Sequence, residues 1–418
     1  MRDASGTQRR PARRAATATP SGARRADPRT LVRVVSVVMF VDTMLFAVIA
    51  PLLPGLAHEL HLSKASAGLL TASYAIGMLV AALPCGVLAA RVGPRPTMCA
   101  GLVLLAASTA AFGLLHDAVA LNLARIAEGA AGACSWGGGL AWIADETPVD
   151  RRGAFIGYAT AAAIAGSLFG PVIGTVAIAT GRAPLFVGLA VVVLAVIVPV
   201  WRIPSTHRRS TQGLRSVLAA CRRPAVIIAI WLMGLPAIGS GAINVLGPLR
   251  LHRLGAPAAA IGATFLIGAA LATVIAAVAG RLSDRRGRLA PLRLGLASAA
   301  VVLVCFTVPA DAGWLAVVII LASGALGLFW APAMAMLSDA AEATGLEQGL
   351  AAALSNVAWA GGQVIGAGGG GAAAKHGGDG LPMAIIAGLC AATLLGLLAT
   401  PRILGRRQAR GRPPVTAG

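Results

Sequence analysis

Three ionisable residues sit in stretches of this chain that are otherwise apolar. Asp42 is the sole acid of the run FVDTMLFAVIAPLLP, and Arg125 and Glu128 lie in LNLARIAEGAAGA. A charge inside a lipid-spanning helix costs about 2.5–3.5 kcal/mol on insertion scales, so such a residue is expected to carry function. Two acids and a guanidinium form a set that can bind, hold and release a proton. Burial favours the neutral acid and a nearby Arg favours the carboxylate, so conformation can tune which form is held. Glu128 stands three residues after Arg125 and shares its helix face. Read as helices, the two runs place Asp42 roughly 18 Å and Glu128 roughly 15 Å from the same end, at similar depth. Two plainer readings stay open. Asp42 can bond only to a neighbouring hydroxyl such as Thr43, and Arg125, roughly 10 Å deep, can snorkel to the helix end.

The elements that position these residues follow from composition. The 418 residues are 57% hydrophobic and 12% charged, with mean hydropathy +0.80. A soluble domain carries about twice that charge, so lipid must be the solvent for most of the chain. Twelve apolar runs are long enough to cross a bilayer: 34–55, 66–90, 97–115, 119–143, 154–179, 183–201, 224–247, 258–280, 290–309, 313–338, 346–373 and 381–400. Backbone polar groups in lipid need internal partners, so the runs must be helices.

The net charge of +20 does not mark a nucleic-acid binder, because Lys and Arg gather in the gaps between runs. With the N-terminus inside, 29 of the 35 basic residues fall on the cytoplasmic side. A multi-pass protein of the inner (plasma) membrane with both termini cytoplasmic is expected. Residues 1–32 read as a disordered basic tail, without the features of a cleavable signal peptide. The six Cys form no close pair along the sequence, so neither a disulfide framework nor a zinc site is expected.

An internal repeat divides the chain. GVLAARVGPR begins at Gly86 and GRLSDRRGR at Gly280, and VIAPLLP around Pro51 is echoed by VLGPLRL around Pro248. Two six-helix halves are expected, 33–203 and 224–402, joined by a basic linker 204–223 and followed by a tail 403–418. Such paired halves around a midplane site are a recurring transporter design.

Four motifs make the chain resemble the major facilitator superfamily, most of all its twelve-span drug:proton antiporters, over about residues 33–400. The loop motif G-x-L-x-D-R-x-G-R is intact in the second half as Gly280, Leu282, Asp284, Arg285, Gly287 and Arg288. Its first copy keeps Gly86, Arg91, Gly93 and Arg95 but has Ala90 and Pro94 in place of the acid and the first basic residue. The resemblance implies a cytoplasmic latch here, with the N-half copy lacking its acid. Arg125, Glu128 and Gly129 match the R-x-x-Q-G element, with Glu for Gln. Asp42 with Pro51 and Pro54 is similar to the first helix of drug antiporters and vesicular amine carriers. Gly166, Gly170, Pro171 and Gly174, with Thr175 last, match the antiporter element of the fifth span. The glycines are spaced by four and allow close helix packing, and Pro171 removes a backbone bond.

The resemblance implies an all-α membrane protein of twelve transmembrane helices in two pseudo-symmetric six-helix halves. It implies a proton-coupled efflux antiporter for a small, partly apolar compound, with the acids of the N-half favouring a cation. Asp42 or Glu128 would bind the proton and Arg125 would set its affinity. Trp231, Ser240, Asn244, Trp330, Asn356, Trp359 and Gln363 are candidates to line a cavity, each also able to anchor at an interface or join helices. The Gly-rich stretch 367–374 is expected to permit tight packing. A monomer is expected, with a small-molecule substrate, protons as coupling ion, and no metal or cofactor. There is no phosphate-binding loop and no nucleophile motif, so an enzyme is not expected. The rival readings are a carrier for a specific metabolite such as a sugar or amino acid, and a non-transporting membrane sensor.

Overall fold

The computed structural model describes residues 27–205, 212–346 and 348–399. Among these residues the secondary structure is helical throughout, with no strand. Residues 1–26 of the basic tail, 206–211 of the linker and 400–418 at the C-terminus lie outside the described residues.

The first apolar run forms α1 (Pro28–Ala47) and α2 (Ile49–Glu59), broken at Val48. Pro51 follows the break and withholds the amide donor that the Ala47 carbonyl would use, and Pro54 does the same to Ala50 inside α2. Then come α3 (Lys64–Val92), α4 (Pro94–Leu114), α5 (Ala118–Glu146), α6 (Val149–Thr180) and α7 (Arg182–Arg202). A short linker helix α8 (Leu214–Cys221) leads to α9 (Pro224–Arg253), α10 (Ala258–Arg286), α11 (Leu289–Val304) and α12 (Ala312–Glu342). The chain ends in α13 (Gln348–Gln363), a π-helical turn Val364–Gly369, α14 (Gly370–Gly377) and α15 (Gly380–Ala399).

The helix ends follow from local sequence. Ser63, Asp117 and Asp311 cap α3, α5 and α12 by accepting from the amides of Ser66, Ala120 and Trp314. Gly93 and Gly287 end α3 and α10 with φ of 112° and 82°. Glycine pays little for that backbone, which explains the second glycine of each loop motif.

Ten helical stretches among the described residues are long and apolar enough to cross a membrane. The expected fourth and eleventh runs fall outside that set. Helix α5 carries Arg125, Glu128, Asp145 and Glu146, and the π-helical turn splits 348–377 into shorter pieces. Length and apolarity thus identify ten of the twelve expected spans, while α5 and 348–377 are helical and pack within the bundle at the places of the other two. Large apolar side chains stand on the outside of the bundle, among them Val80, Val119, Val274 and Leu395. A water-soluble surface would not carry them so freely.

The packing repeats. In the first part α3 packs on α5, α4 on α5 and α7, and α1 on α6. In the second α10 packs on α12, α11 on α12 and α15, and α9 on α13 and the π-helical turn. Between the parts, α3 meets α13 and α6 meets α10, which are again matching positions. Glycine sets the tightest of these seams. A Cβ on Gly129 would strike the backbone of Tyr74, and one on Gly166 would strike the backbone of Phe40. Gly170 and Gly174 lie against Met44, Ala47 and Val48 in the same way, so the four-residue stripe of α6 seats α1. Within the Gly-rich stretch, a Cβ on Gly371 would strike Lys64 and Gly68 and one on Gly370 would crowd Ala242, whereas one on Gly369 would meet open space; just before it, Gly366 lies on Ile238.

Candidate functional site

Asp42 is fully buried on α1. Its carboxylate accepts from the Tyr74 hydroxyl at 3.1 and 3.2 Å and from Trp136 Nε1 at 3.1 Å. These donors come from α3 and α5, so three helices converge on one carboxylate. Thr43 donates instead to the Met39 carbonyl of its own helix, at 2.7 Å. The reading in which Thr43 alone satisfies Asp42 is thereby overturned. Gly132 faces the pair, with Asp42 Oδ1 only 3.0 Å from where a Cβ would stand. Only a residue without a side chain leaves the Asp42–Tyr74 bond room.

Arg125 has no exposed surface, so it does not snorkel. It donates to Glu128 Oε2 at 2.7 Å, and to the carbonyls of Leu45 at 3.1 Å and Phe46 at 3.2 Å. Those carbonyls belong to the last turn of α1, just before the break at Val48. Arg125 thus ties α5 to the discontinuity in the first span. Its guanidinium also lies 5.2 Å from the Tyr74 ring centre. Tyr74 therefore touches both Asp42 and Arg125. Glu128 is 1% exposed, and its Oε1 has no hydrogen-bond partner.

Two adjoining cavities lie between the parts of the bundle. One, of about 240 Å³, has Asp42, Tyr74, Trp136, Phe46 and Asn356 in its wall. The other, of about 300 Å³, is lined by Ser240, Asn244, Phe265, Pro171 and Gln363. Phe46, Ser167, Trp330 and Trp359 border both. Phe46 packs at a tilt against Tyr74 at 4.9 Å and edge-on against Trp359 at 5.2 Å between ring centres, so aromatic rings bound the acid. Gln363 Nε2 donates to Ser240 Oγ at 3.0 Å and joins α13 to α9.

Trp231 is not in either wall. It is 40% exposed and donates to Thr393 Oγ1 at 3.0 Å, on the outside of the bundle between α9 and α15. Nor do the described side chains of the two loop motifs bridge the halves. Arg95 donates to the Ile203 carbonyl at 3.3 Å and lies 5.0 Å over the Trp201 ring. Arg288 pairs with Asp339 at 2.5 Å. Both contacts stay within one half. Arg91 and Arg285 are exposed, and the side chain of Asp284 lies outside the described residues. A Cβ on Gly86 would stand 3.1 Å from Ala353 of the other half, whereas one on Gly280 would meet open space.

Three groupings were hidden in the sequence. Tyr74 and Trp136 look like ordinary apolar aromatics until the fold brings them to Asp42. Cys85 and Cys134, free thiols 49 residues apart, have sulfurs 2.8 Å from one another, a spatial pair that spacing does not betray. Asp379, in the turn before α15, gathers Lys64 at 2.6 Å together with Arg253, and Arg250 lies at 3.9 Å. Burial pushes the Asp379 carboxyl upward, but the hydrogen bonds and charges of Lys64 and Arg253 prevail and hold it below its ordinary value.

A family model of the Major Facilitator Superfamily matches residues 35–362. The chain belongs to this superfamily. The superfamily is one of multi-pass membrane transporters of small molecules, not of enzymes. Among superfamily members of known role it is similar to multidrug resistance protein 1 of Bacillus subtilis (strain 168). The two are 27% identical over 246 residues, covering 57% of this chain and 63% of that protein. The chain thus spans less than two thirds of that relative's length. Quinolone resistance protein NorA of Staphylococcus aureus (strain MRSA252) is 29% identical over 170 residues, covering 40% of this chain and 44% of that protein. Among solved structures, the partially occluded inward-open xylose transporter XylE from E. coli superimposes with a TM-score of 0.71. It is 14% identical and covers 93% of this chain and 99% of that chain. At that identity the likeness speaks for the superfamily fold alone.

Proposed function

We propose that this transporter is a proton-coupled efflux antiporter, exchanging an external proton for a small, partly apolar cation. One observation carries the reading: among the described residues, the only acid in the walls of these two cavities is a fully buried carboxylate bounded by aromatic rings. A cation and a proton compete for such a group, and competition for one site couples the two fluxes. Phe46, Tyr74, Trp136 and Trp359 offer faces to the apolar body and charge of the cargo. Asp42 takes the exchanged proton, while Glu128, locked to Arg125 behind Tyr74, tunes its neighbourhood.

In this reading the two halves, 33–203 and 224–402, rock about the cavities in the inner membrane, with both termini cytoplasmic. Arg125 transmits the state of the acids to the break between α1 and α2. The drug-resistance names of the relatives agree with outward transport of apolar compounds.

A second reading is a carrier for one metabolite such as a sugar or amino acid. It draws on the other cavity, where Ser240, Asn244 and Gln363 supply hydroxyl and amide groups. A panel in an efflux-deficient host separates the two. Resistance to several aromatic cations that an uncoupler abolishes supports antiport. Accumulation of a labelled sugar or amino acid, with no resistance, supports the carrier.

A further inference from the structure

Among the described residues, the wall of the Asp42 cavity holds one buried side-chain donor without a hydrogen-bond partner. Asn356 on α13 is 9% exposed, and its Nδ2 is buried with no hydrogen-bond partner. The hydroxyl groups of the same wall and the Trp136 indole are engaged, while the indole N–H groups of Trp330 and Trp359 are unpaired but not sealed from the cavity. The hydroxyls of Thr43, Thr160, Ser167 and Ser355 each donate to a carbonyl of their own helix. Trp136 and Tyr74 donate to Asp42. The other buried orphan donors, such as Trp142 Nε1 and Thr109 Oγ1, border neither cavity.

A buried amide left without a partner is rare in a folded protein and calls for an explanation. Placed in the wall of a cavity, the group is explained if its acceptor arrives with the cargo. An Asn side chain offers two N–H donors on Nδ2, so the arriving partner must be an oxygen or similar acceptor. The cavity thus presents an acceptor for positive charge on α1, an unspent donor on α13, and aromatic rings between them.

We propose that Asn356 is a specificity-determining residue that reads a neutral oxygen acceptor on the transported cation. This rests on the efflux reading above and narrows it. The preferred cargo is an aromatic ammonium compound that also carries a carbonyl, hydroxyl or ether oxygen. A site built to bond such an oxygen rejects the analogue that lacks it, because the buried donor is then left empty.

Two probes of matched shape test this: (4-acetylphenyl)trimethylammonium and its 4-isopropyl counterpart. Binding to the purified full chain is read by quenching of tryptophan fluorescence, since Trp136, Trp330 and Trp359 wall the cavity. Wild type is expected to bind the acetyl probe about tenfold more tightly, the scale of one net hydrogen bond. Asn356→Leu, near in volume but without a donor, should erase that preference by weakening the acetyl probe alone. Asn356→Ser, which keeps a donor, should retain part of it if Leu perturbs the fold. Equal binding of the two probes by wild type, or equal loss of both in Asn356→Leu, overturns the proposal and leaves the efflux reading standing. Binding of neither probe overturns both.

Discussion

Lys64 Nζ donates to Asp379 Oδ1 at 2.6 Å, tying the start of α3 to the turn before α15, 315 residues along the chain. Arg250 and Arg253, the other cations around Asp379, belong to the same half as the acid. Lys64 is therefore the member that crosses between halves, at the end of the bundle where Gly68 and Gly371 also meet. Replacing Lys64 by Ala should loosen this end. In a background with the native cysteines replaced, labelling of Ser240→Cys by an impermeant maleimide should quicken several-fold. An unchanged rate removes the tie from the opening motion.

The same cluster makes a pH prediction. Asp379 is held below its ordinary value of 3.8, so the tie is fully formed above that value. It is lost only as pH falls through the still lower folded value. The ratio of labelling rates between Lys64→Ala and its parent, both carrying Ser240→Cys, should therefore be flat between pH 5 and pH 8. A step near neutrality would place another titrating group in control.

Arg125 and Glu128 predict an asymmetry between single variants. Arg125→Ala strands a buried carboxylate and releases the Leu45 and Phe46 carbonyls, at a cost of about 3–5 kcal/mol. Glu128→Gln removes the charge but keeps an acceptor of the same shape, and costs less. Thermal unfolding in detergent should rank them in that order. The double variant Arg125→Leu/Glu128→Leu should recover part of the loss, because no unpaired charge is left behind.

Gly166 and Gly157 lie on the same helix and predict opposite outcomes. A Cβ at 166 meets the backbone of Phe40, whereas one at 157 meets open space. Gly166→Ala should destabilise by about 1–3 kcal/mol, the usual cost of overpacking. Gly157→Ala should stay within about 0.5 kcal/mol. Matching losses would mean that the glycine stripe does not seat α1.

Much of the site was legible in the sequence because charge in an apolar run is conspicuous. Asp42, Arg125 and Glu128 stand out for that reason, and the stripe Gly166, Gly170 and Gly174 for its spacing. What stayed hidden was which way each residue faces. A span apolar on all sides gives no periodic signal, so Trp231 reads as a cavity residue although it faces outward, and nothing in the sequence singles out Tyr74 and Trp136, which hold Asp42. Long-range pairs such as Lys64–Asp379 and Cys85–Cys134 leave no local trace. The loop motifs told where two turns lie, through Gly93 and Gly287, but not what their arginines bond.

The central claim is that the Asp42 carboxylate carries the exchanged proton. Its most direct test is proton movement in sealed proteoliposomes, followed with a pH dye when an aromatic cation is added under an imposed pH gradient. Wild type should couple the two fluxes. Asp42→Asn, with wild-type thermal stability, should bind the cation weakly and show no substrate-driven proton movement at any pH between 5 and 9. Full proton-coupled exchange in Asp42→Asn would contradict the account.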